Sequence, residues 1–239
     1  MNTFLIQAEN LRFGYDRALN TGFSFELPAG ELIAVAGPNG SGKTTFLKTL
    51  AGLISPYSGS LLLCGKEIRE WRLKERARRI SIQFATQTVP PLMTVYEVVS
   101  LGRTPYADIW DSRTEEDAQI INKVLKQTNT AEFAGREIAS LSDGERSRAF
   151  LARSLAQCAK VILLDEPSAF LDIPHTVNLF RLLKTIVQEE KISFVLTTHN
   201  LEMAFRFSDR ILCFDGNGGI HLGKPLELKE KGCFSWAEI

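Results

Sequence analysis
An excess of charge of either sign is missing from this 239-residue chain, in which Lys plus Arg and Asp plus Glu each number 28. A balanced surface has no long-range field to gather a polyanion, which removes the electrostatic argument for nucleic acid as a partner. No apolar run approaches the roughly 20 residues that span a bilayer. The opening stretch MNTFLIQAEN has no basic segment leading into a long apolar one, so no secretory signal is expected. Cysteine is sparse. Cys64, Cys158, Cys213 and Cys233 stand apart with no CxxC pair, and the expectation is reduced thiols rather than a metal cluster or disulfide framework. Internal repeats and low-complexity segments are also lacking, which sets repeat architectures aside. What remains is ample apolar sequence, 44% of residues. That is enough for one α/β domain with its own core, or one domain carrying an insertion.

The chain changes texture along its length. FLIQAENLRFGY and GFSFELPAG read as strands broken by Gly and Pro. ELIAVAG is apolar on both faces, as a buried parallel strand is. Residues 43–53 read as a helix with Phe46, Leu47 and Leu50 on one side and Gly52 where the pattern ends. SGSLLLCGKEI reads as a further strand with turns at each end, and REWRLKERARR as a solvated helix face. From about residue 87 to 157 a Pro-Pro loop leads into helix after helix. Thr114 and Asp117 form a capping-box pattern ahead of EEDAQIINKVLKQ. This stretch is expected to be a helical insertion in a core of about 1–86 and 158–239. VILLDEP and ISFVLTTH then enclose HTVNLFRLLKTIVQEE, whose Val177, Phe180, Leu183 and Val187 share one side. That is a parallel crossover unit. The end, DRILCFDGNGGIHLGKPLEL, reads as short strands around Gly-rich turns.

GPNGSGKTT, residues 37–45, fits the pattern G-x-x-x-x-G-K-[ST], with a strand before it and a helix after it. A polyphosphate needs several donors converging from one side. Gly37, Gly40 and Gly42, with Pro38, Asn39 and Ser41 between them, let backbone N–H groups turn inward without a Cβ in the way. The helix start adds unpaired N–H groups and a positive dipole end. Lys43 supplies a mobile charge for the β- and γ-phosphates, Thr44 offers a hydroxyl to Mg²⁺, and Thr45 continues the helix start. The motif points to a nucleoside triphosphate without saying what is done with it. VILLDEP narrows the choice. Asp165 emerges at the carboxyl end of a buried strand, where open parallel sheets bind ligands, and can serve Mg²⁺. Glu166, one residue on, is a carboxylate free to polarise an attacking water.

LSDGE, residues 141–145, is an S-x-x-E capping box before RSRAFLARSLAQ. Together with GPNGSGKTT and VILLDEP it resembles the signature of the ATP-binding-cassette (ABC) family, usually written LSGGQ, with Asp143 and Glu145 as departures. The resemblance extends over the chain in order. Tyr15 in LRFGYDR is similar to the aromatic that stacks on adenine. SAFLD, with Asp172 as its acid, is similar to the D-loop, and His199 after FVLTT to the switch histidine.

The resemblance implies an ATP-hydrolysing cassette with a P-loop core, an N-terminal antiparallel β subdomain and an inserted helical subdomain. It implies ATP and Mg²⁺ as cofactors, Lys43, Glu166 and His199 as catalytic groups, and Thr44 and Asp165 toward the metal. The triphosphate would lie between residues 37–45 of one copy and Ser142, Asp143, Gly144 and Glu145 of a second copy, in a head-to-tail homodimer. Partners would be transmembrane permease subunits and, indirectly, an extracytoplasmic substrate-binding protein, with the chain peripheral on the cytoplasmic face of the (inner) membrane. LMTVYEVVSLGRTPYADIW resembles the importer branch for iron-siderophore, haem or cobalamin. Pro90, Pro91, Leu92, Met93, Tyr106 and Trp110 could seat a helix of the permease or pack inside the helical lobe. One departure stands out. The glutamine that the family places before the helical segment falls on Ala85 or Thr86, flanked by Gln83 and Gln87.

Overall fold
The computed structural model describes residues 4–89, 91–107 and 114–237. Two sheets carry it. Strands β1 (Phe4–Arg12), β2 (Phe23–Pro28), β4 (Ser58–Leu63) and β5 (Lys66–Glu67) form an antiparallel sheet in the order β2-β1-β4-β5. The larger sheet contains β3 (Leu32–Ala36), β6 (Ile80–Gln83), β7 (Val161–Leu164), β8 (Ser193–Thr197), β9 (Arg210–Phe214) and β10 (Ile220–Gly223), in the order β10-β9-β3-β8-β7-β6. All its pairings are parallel except β10 against β9.

The buried strands are apolar throughout because both faces of the large sheet are covered. Ile33, Val35, Leu163, Val195 and Leu212 pack toward the small sheet and helix α1 (Lys43–Leu50). The alternate residues Leu32, Ala34, Ile162, Leu164 and Leu196 pack on the opposite side. There they meet α6 (Ile173–Glu190), α7 (Leu201–Phe207) and a group made of α3 (Val95–Ser100), α4 (Glu115–Gln127) and α5 (Asp143–Ala156). Beneath α1 lies an aromatic cluster. Phe46, fully buried, has its ring 5.4 Å from Phe13 and 5.7 Å from both Phe23 and Phe214. Truncating such a ring to alanine costs about 3–5 kcal/mol, so the loop leading into α1 rests on a stiff floor.

Arg103 staples the helical group. It is buried, pairs with Asp117 of α4 at 2.6 Å, donates to the Ala156 carbonyl at 2.9 Å and lies 3.9 Å over the Tyr106 ring. Tyr106 is thereby packed, and Met93 rests against the core, while Leu92 is 81% exposed. Pro90 and Trp110 lie outside the described residues.

Three local expectations are corrected. SGSLLLCGKEI is a hairpin and not one strand, because Cys64 and Gly65 both take positive φ (51° and 77°). Successive left-handed residues make the tight turn that reverses a strand. REWRLKERARR holds only a short helix, α2 (Leu73–Ala77), after a 3₁₀ turn at Ile68–Glu70. PLEL opens a helix, α8 (Pro225–Glu230), where Pro225 takes a first-turn position that needs no N–H.

Candidate active site
The carboxyl ends of β3, β8, β7 and β6 lie side by side, and the chemistry-bearing residues leave from there. Gly42 caps α1 with φ 97° and no side-chain hydrogen bond, and the first turn holds no acid. A Cβ at Gly42 would stand 3.0 Å from Leu19, which is held under the loop by a bond from its N–H to the Phe13 carbonyl. Gly37 is required for a different reason. A Cβ there would meet the Phe214 Cβ at 2.7 Å and its carbonyl oxygen at 2.8 Å. Lys43 is buried, and its Nζ donates to the carbonyls of Gly37 (2.8 Å) and Pro38 (3.0 Å). Burial pushes its pKa below the usual lysine value, and Glu166 and Asp165 pull it partly back. The cation therefore sits at the centre of the loop's carbonyl ring, facing two carboxylates.

Asp165, also buried, accepts from Thr44 Oγ1 at 2.9 and 3.1 Å and from Thr197 Oγ1 at 2.8 Å. The same Thr197 hydroxyl accepts from the Glu166 N–H at 2.8 Å. Thr197 thus fixes both carboxylate positions from the neighbouring strand, a role not read from the sequence. The signal was the polar pair TT at the carboxyl end of a mostly apolar strand. Glu166 has φ 47°, a left-handed conformation that costs a non-glycine residue on the order of 1–2 kcal/mol. Such strain gathers where a side chain must be aimed. Its Oε1 meets His199 Nε2 at 2.8 Å, and both side chains are partly open to solvent. The arrangement presents a cation, a metal-type oxygen pair and a carboxylate–imidazole pair on one sheet edge.

The other expected residues lie around this edge. Tyr15 is 61% exposed, on a loop clamped by buried Asn20, which donates to the Leu11 carbonyl and accepts from the Phe13 N–H. Asn39 and Gly40 are exposed, Pro38, Ser41 and Thr45 are half-buried, and Ser41 Oγ is buried with no hydrogen-bond partner among the described residues. Ser142 caps α5. Its hydroxyl and N–H both bond Glu145 Oε2, at 2.7 and 2.9 Å, and these bonds hold the Glu145 carboxyl below its ordinary pKa. Ser142 and Asp143 are exposed, Gly144 and Glu145 half-buried. Asp172 caps α6 through the His175 N–H. Gln83 and Gln87 part company. Gln83 is buried, its carbonyl accepts the Asp165 N–H, and its Oε1 has no hydrogen-bond partner among the described residues. Gln87 is engaged at both ends, donating to the Phe84 carbonyl and accepting from Arg153 at 2.9 Å. Neither amide is bonded to Thr44 or Asp165.

Comparison with known proteins agrees with this geometry. The ABC transporter family model matches residues 20–169. The iron(3+)-hydroxamate import ATP-binding protein of Bacillus subtilis is 34% identical over 224 residues, 93% of this chain and 83% of that protein. A cobalamin import ATP-binding protein of Halobacterium salinarum is 36% identical over 192 residues, 80% of this chain and 48% of that longer protein. Among solved structures, a dimeric ATP-binding cassette in a post-hydrolysis state with ADP and Pi superposes with TM-score 0.79 at 25% identity, covering 92% of this chain and 98% of that one. No helix among the described residues is long and apolar enough to cross a membrane. A matched P-loop, two consecutive carboxylates at the end of β7 and relatives over nearly the full length lead to one conclusion: this chain belongs to the ABC transporter family, as one of its ATPases.

Proposed function
We propose that the chain drives an importer for iron-siderophore, haem or cobalamin chelates. It would work at the cytoplasmic face of the membrane against separate permease subunits, fed by an extracytoplasmic substrate-binding protein. The substrate class is supported by the import systems to which the relatives belong and by LMTVYEVVSLGRTPYADIW.

In the reaction, Lys43 exchanges the Gly37 and Pro38 carbonyls for β- and γ-phosphate oxygens, while the uncapped N–H groups of α1 cradle the same chain of phosphates. Thr44 and Asp165 fit Mg²⁺, since both offer hard oxygens and already touch each other. The ion would supply charge neutralisation on the phosphate oxygens. Glu166 takes a proton from water as the water oxygen attacks the γ-phosphorus, and the β–γ bridging oxygen leaves with ADP. His199 holds the Glu166 carboxylate in line from one side. The exposed Ser142–Asp143 tip of a second copy closes the site over the nucleotide bound at Tyr15.

The Glu166–His199 contact, beside Asp165 and Thr44, carries this reading. Purified Glu166→Gln should bind ATP as the wild type does and hydrolyse it about 10²-fold or more slowly. Equal turnover would remove Glu166 from the role of base. Co-purification with a polytopic membrane protein tests the importer assignment separately.

A further inference from the structure
Residues 235–237 lie near the catalytic pair. A cleft of about 660 Å³ has Glu166, Thr198, His199, Asn200, Trp236 and Ala237 among its lining residues. These last two lie in the 3₁₀ turn Ser235–Ala237. The turn is firmly attached. Phe234 is buried with its ring 5.0 Å from Phe205 of α7, the helix that follows His199. The Cys213 thiol of β9 donates to the Cys233 carbonyl at 2.8 Å. Burial pushes that thiol up to about 11, so it stays protonated and keeps donating. Trp236 packs on the core shared by Met203 and Ala204 of α7. Its Nε1 is buried with no hydrogen-bond partner among the described residues.

Residues 198–200 are held at both ends. Thr198 is anchored by its N–H to the Val35 carbonyl, and Asn200 caps α7 at Met203. The imidazole itself bonds Glu166 and stands 43% exposed. Leu171, Ile173 and Thr176 line the same cleft, and the indole is linked to residues 198–200 through α7, on whose core it packs.

We propose that Trp236 is a positioning residue for His199. The turn Ser235–Ala237, packed against β9 and α7, steadies the start of α7, whose cap is Asn200, and through it keeps His199 where the imidazole meets Glu166. The inference rests on Glu166 and His199 being the hydrolytic pair. It assigns no chemistry to the indole. Its contribution is shape, so a phenylalanine should replace it and an alanine should not.

Trp236→Ala in the full chain should lower kcat for MgATP about tenfold and leave the affinity for a fluorescent ATP analogue within about twofold. Trp236→Phe should recover most of kcat. A spectroscopic arm does not depend on the alanine variant folding. With Trp71 and Trp110 changed to Phe, Trp236 is the sole indole of the chain. In a Glu166→Gln background its emission should shift when MgATP is added, and His199→Ala should abolish the shift. A folded Trp236→Ala with wild-type kcat, or emission silent to MgATP, overturns the proposal. If Trp236→Ala does not fold, Trp236→Phe kinetics and the emission signal decide. His199→Ala with full turnover would instead refute the pair itself, a different failure from a neutral Trp236 beside an inactive His199→Ala.

Discussion
Two helix tips in this molecule hold the motifs that mark its family, and they are built in opposite ways. At α1 the cap is Gly42, with no side chain to accept from the first N–H groups and no acid in the first turn. At α5 Ser142 and Glu145 close a reciprocal capping box, and Asp143 adds a second acid. The caps of α3, α4, α6 and α7 likewise use a side-chain acceptor. A side-chain cap contributes roughly 1 kcal/mol to a helix. Leaving α1 without one costs stability and keeps its donors open for a ligand. The α5 tip satisfies itself and shows its surface outward. The difference suits a division in which one tip grips a triphosphate within the subunit, and the other meets it only when a second copy brings it there.

The strongest way to break that contrast is to remove the charge at the open tip. Lys43→Ala should cut ATP turnover about 10²–10³-fold, the usual loss for a single donor aimed at developing charge. Melting temperature should hardly fall, because burial already disfavours the charged ammonium. A large fall in stability with little loss of turnover would make Lys43 a structural group.

A closed tip should behave in reverse. Asp117 of α4 takes part in its capping box and also holds Arg103 at 2.6 Å in a buried setting. Asp117→Asn should cost about 2 kcal/mol, the scale of a hydrogen bond to a charged group. For a chain of this size that is a fall of about 4–8 °C in melting temperature. The Asp117 carboxyl is held below its ordinary pKa, first by the Thr114 N–H and then by Arg103. Its contribution is therefore complete above the unfolded-state value, near 4, and is lost as pH falls through the lower folded value. The variant should lack that acid-side loss. ATP affinity should not move.

Much of this was legible in the sequence, for reasons that can be named. GPNGSGKTT and VILLDEP place backbone donors and carboxylates by local geometry alone, so their residues arrive together once the strands are parallel. The capping boxes at Thr114 and Ser142 are likewise local and form as written. Long-range contacts were not legible. Thr197 reaches Asp165 only because β8 lies between β3 and β7, an order no spacing reveals. Trp236 comes to line a cleft with the His199 loop because Phe234 packs on Phe205, again across the fold. The Cys64–Gly65 hairpin was missed because a cysteine carries no turn signal, and its positive φ is set by the strands it joins.

A smaller change tests whether the open tip depends on backbone conformation. Gly42→Ala forces a side chain into φ 97°, with its Cβ 3.0 Å from Leu19 and 3.2 Å from Phe13. The left-handed strain is about 1–2 kcal/mol. It should appear as ATP affinity weakened about tenfold and as a modest loss of melting temperature. Unchanged affinity would show that the amides reach phosphate from a relaxed backbone.

The smallest expected effect lies at the closed tip and sharpens the comparison most. Glu145 places a negative charge in the first turn of α5, where it complements the helix dipole but opposes an incoming phosphate. Glu145→Gln keeps an oxygen able to accept from the Ser142 N–H and removes the charge. The helix should lose a few tenths of a kcal/mol, since the half-buried carboxylate is still reached and screened by solvent. The proposed ATP-bound dimer should gain, because the phosphate no longer approaches a carboxylate. In a Glu166→Gln background, where hydrolysis is stalled, sedimentation should report dimerisation tightened about twofold to fivefold per site. Added salt should shrink the gain by screening the same repulsion. A dimer that weakens instead would mean that Glu145 recruits a cation or donor from the opposing copy, and that the closed tip is sealed for docking to protein rather than to phosphate.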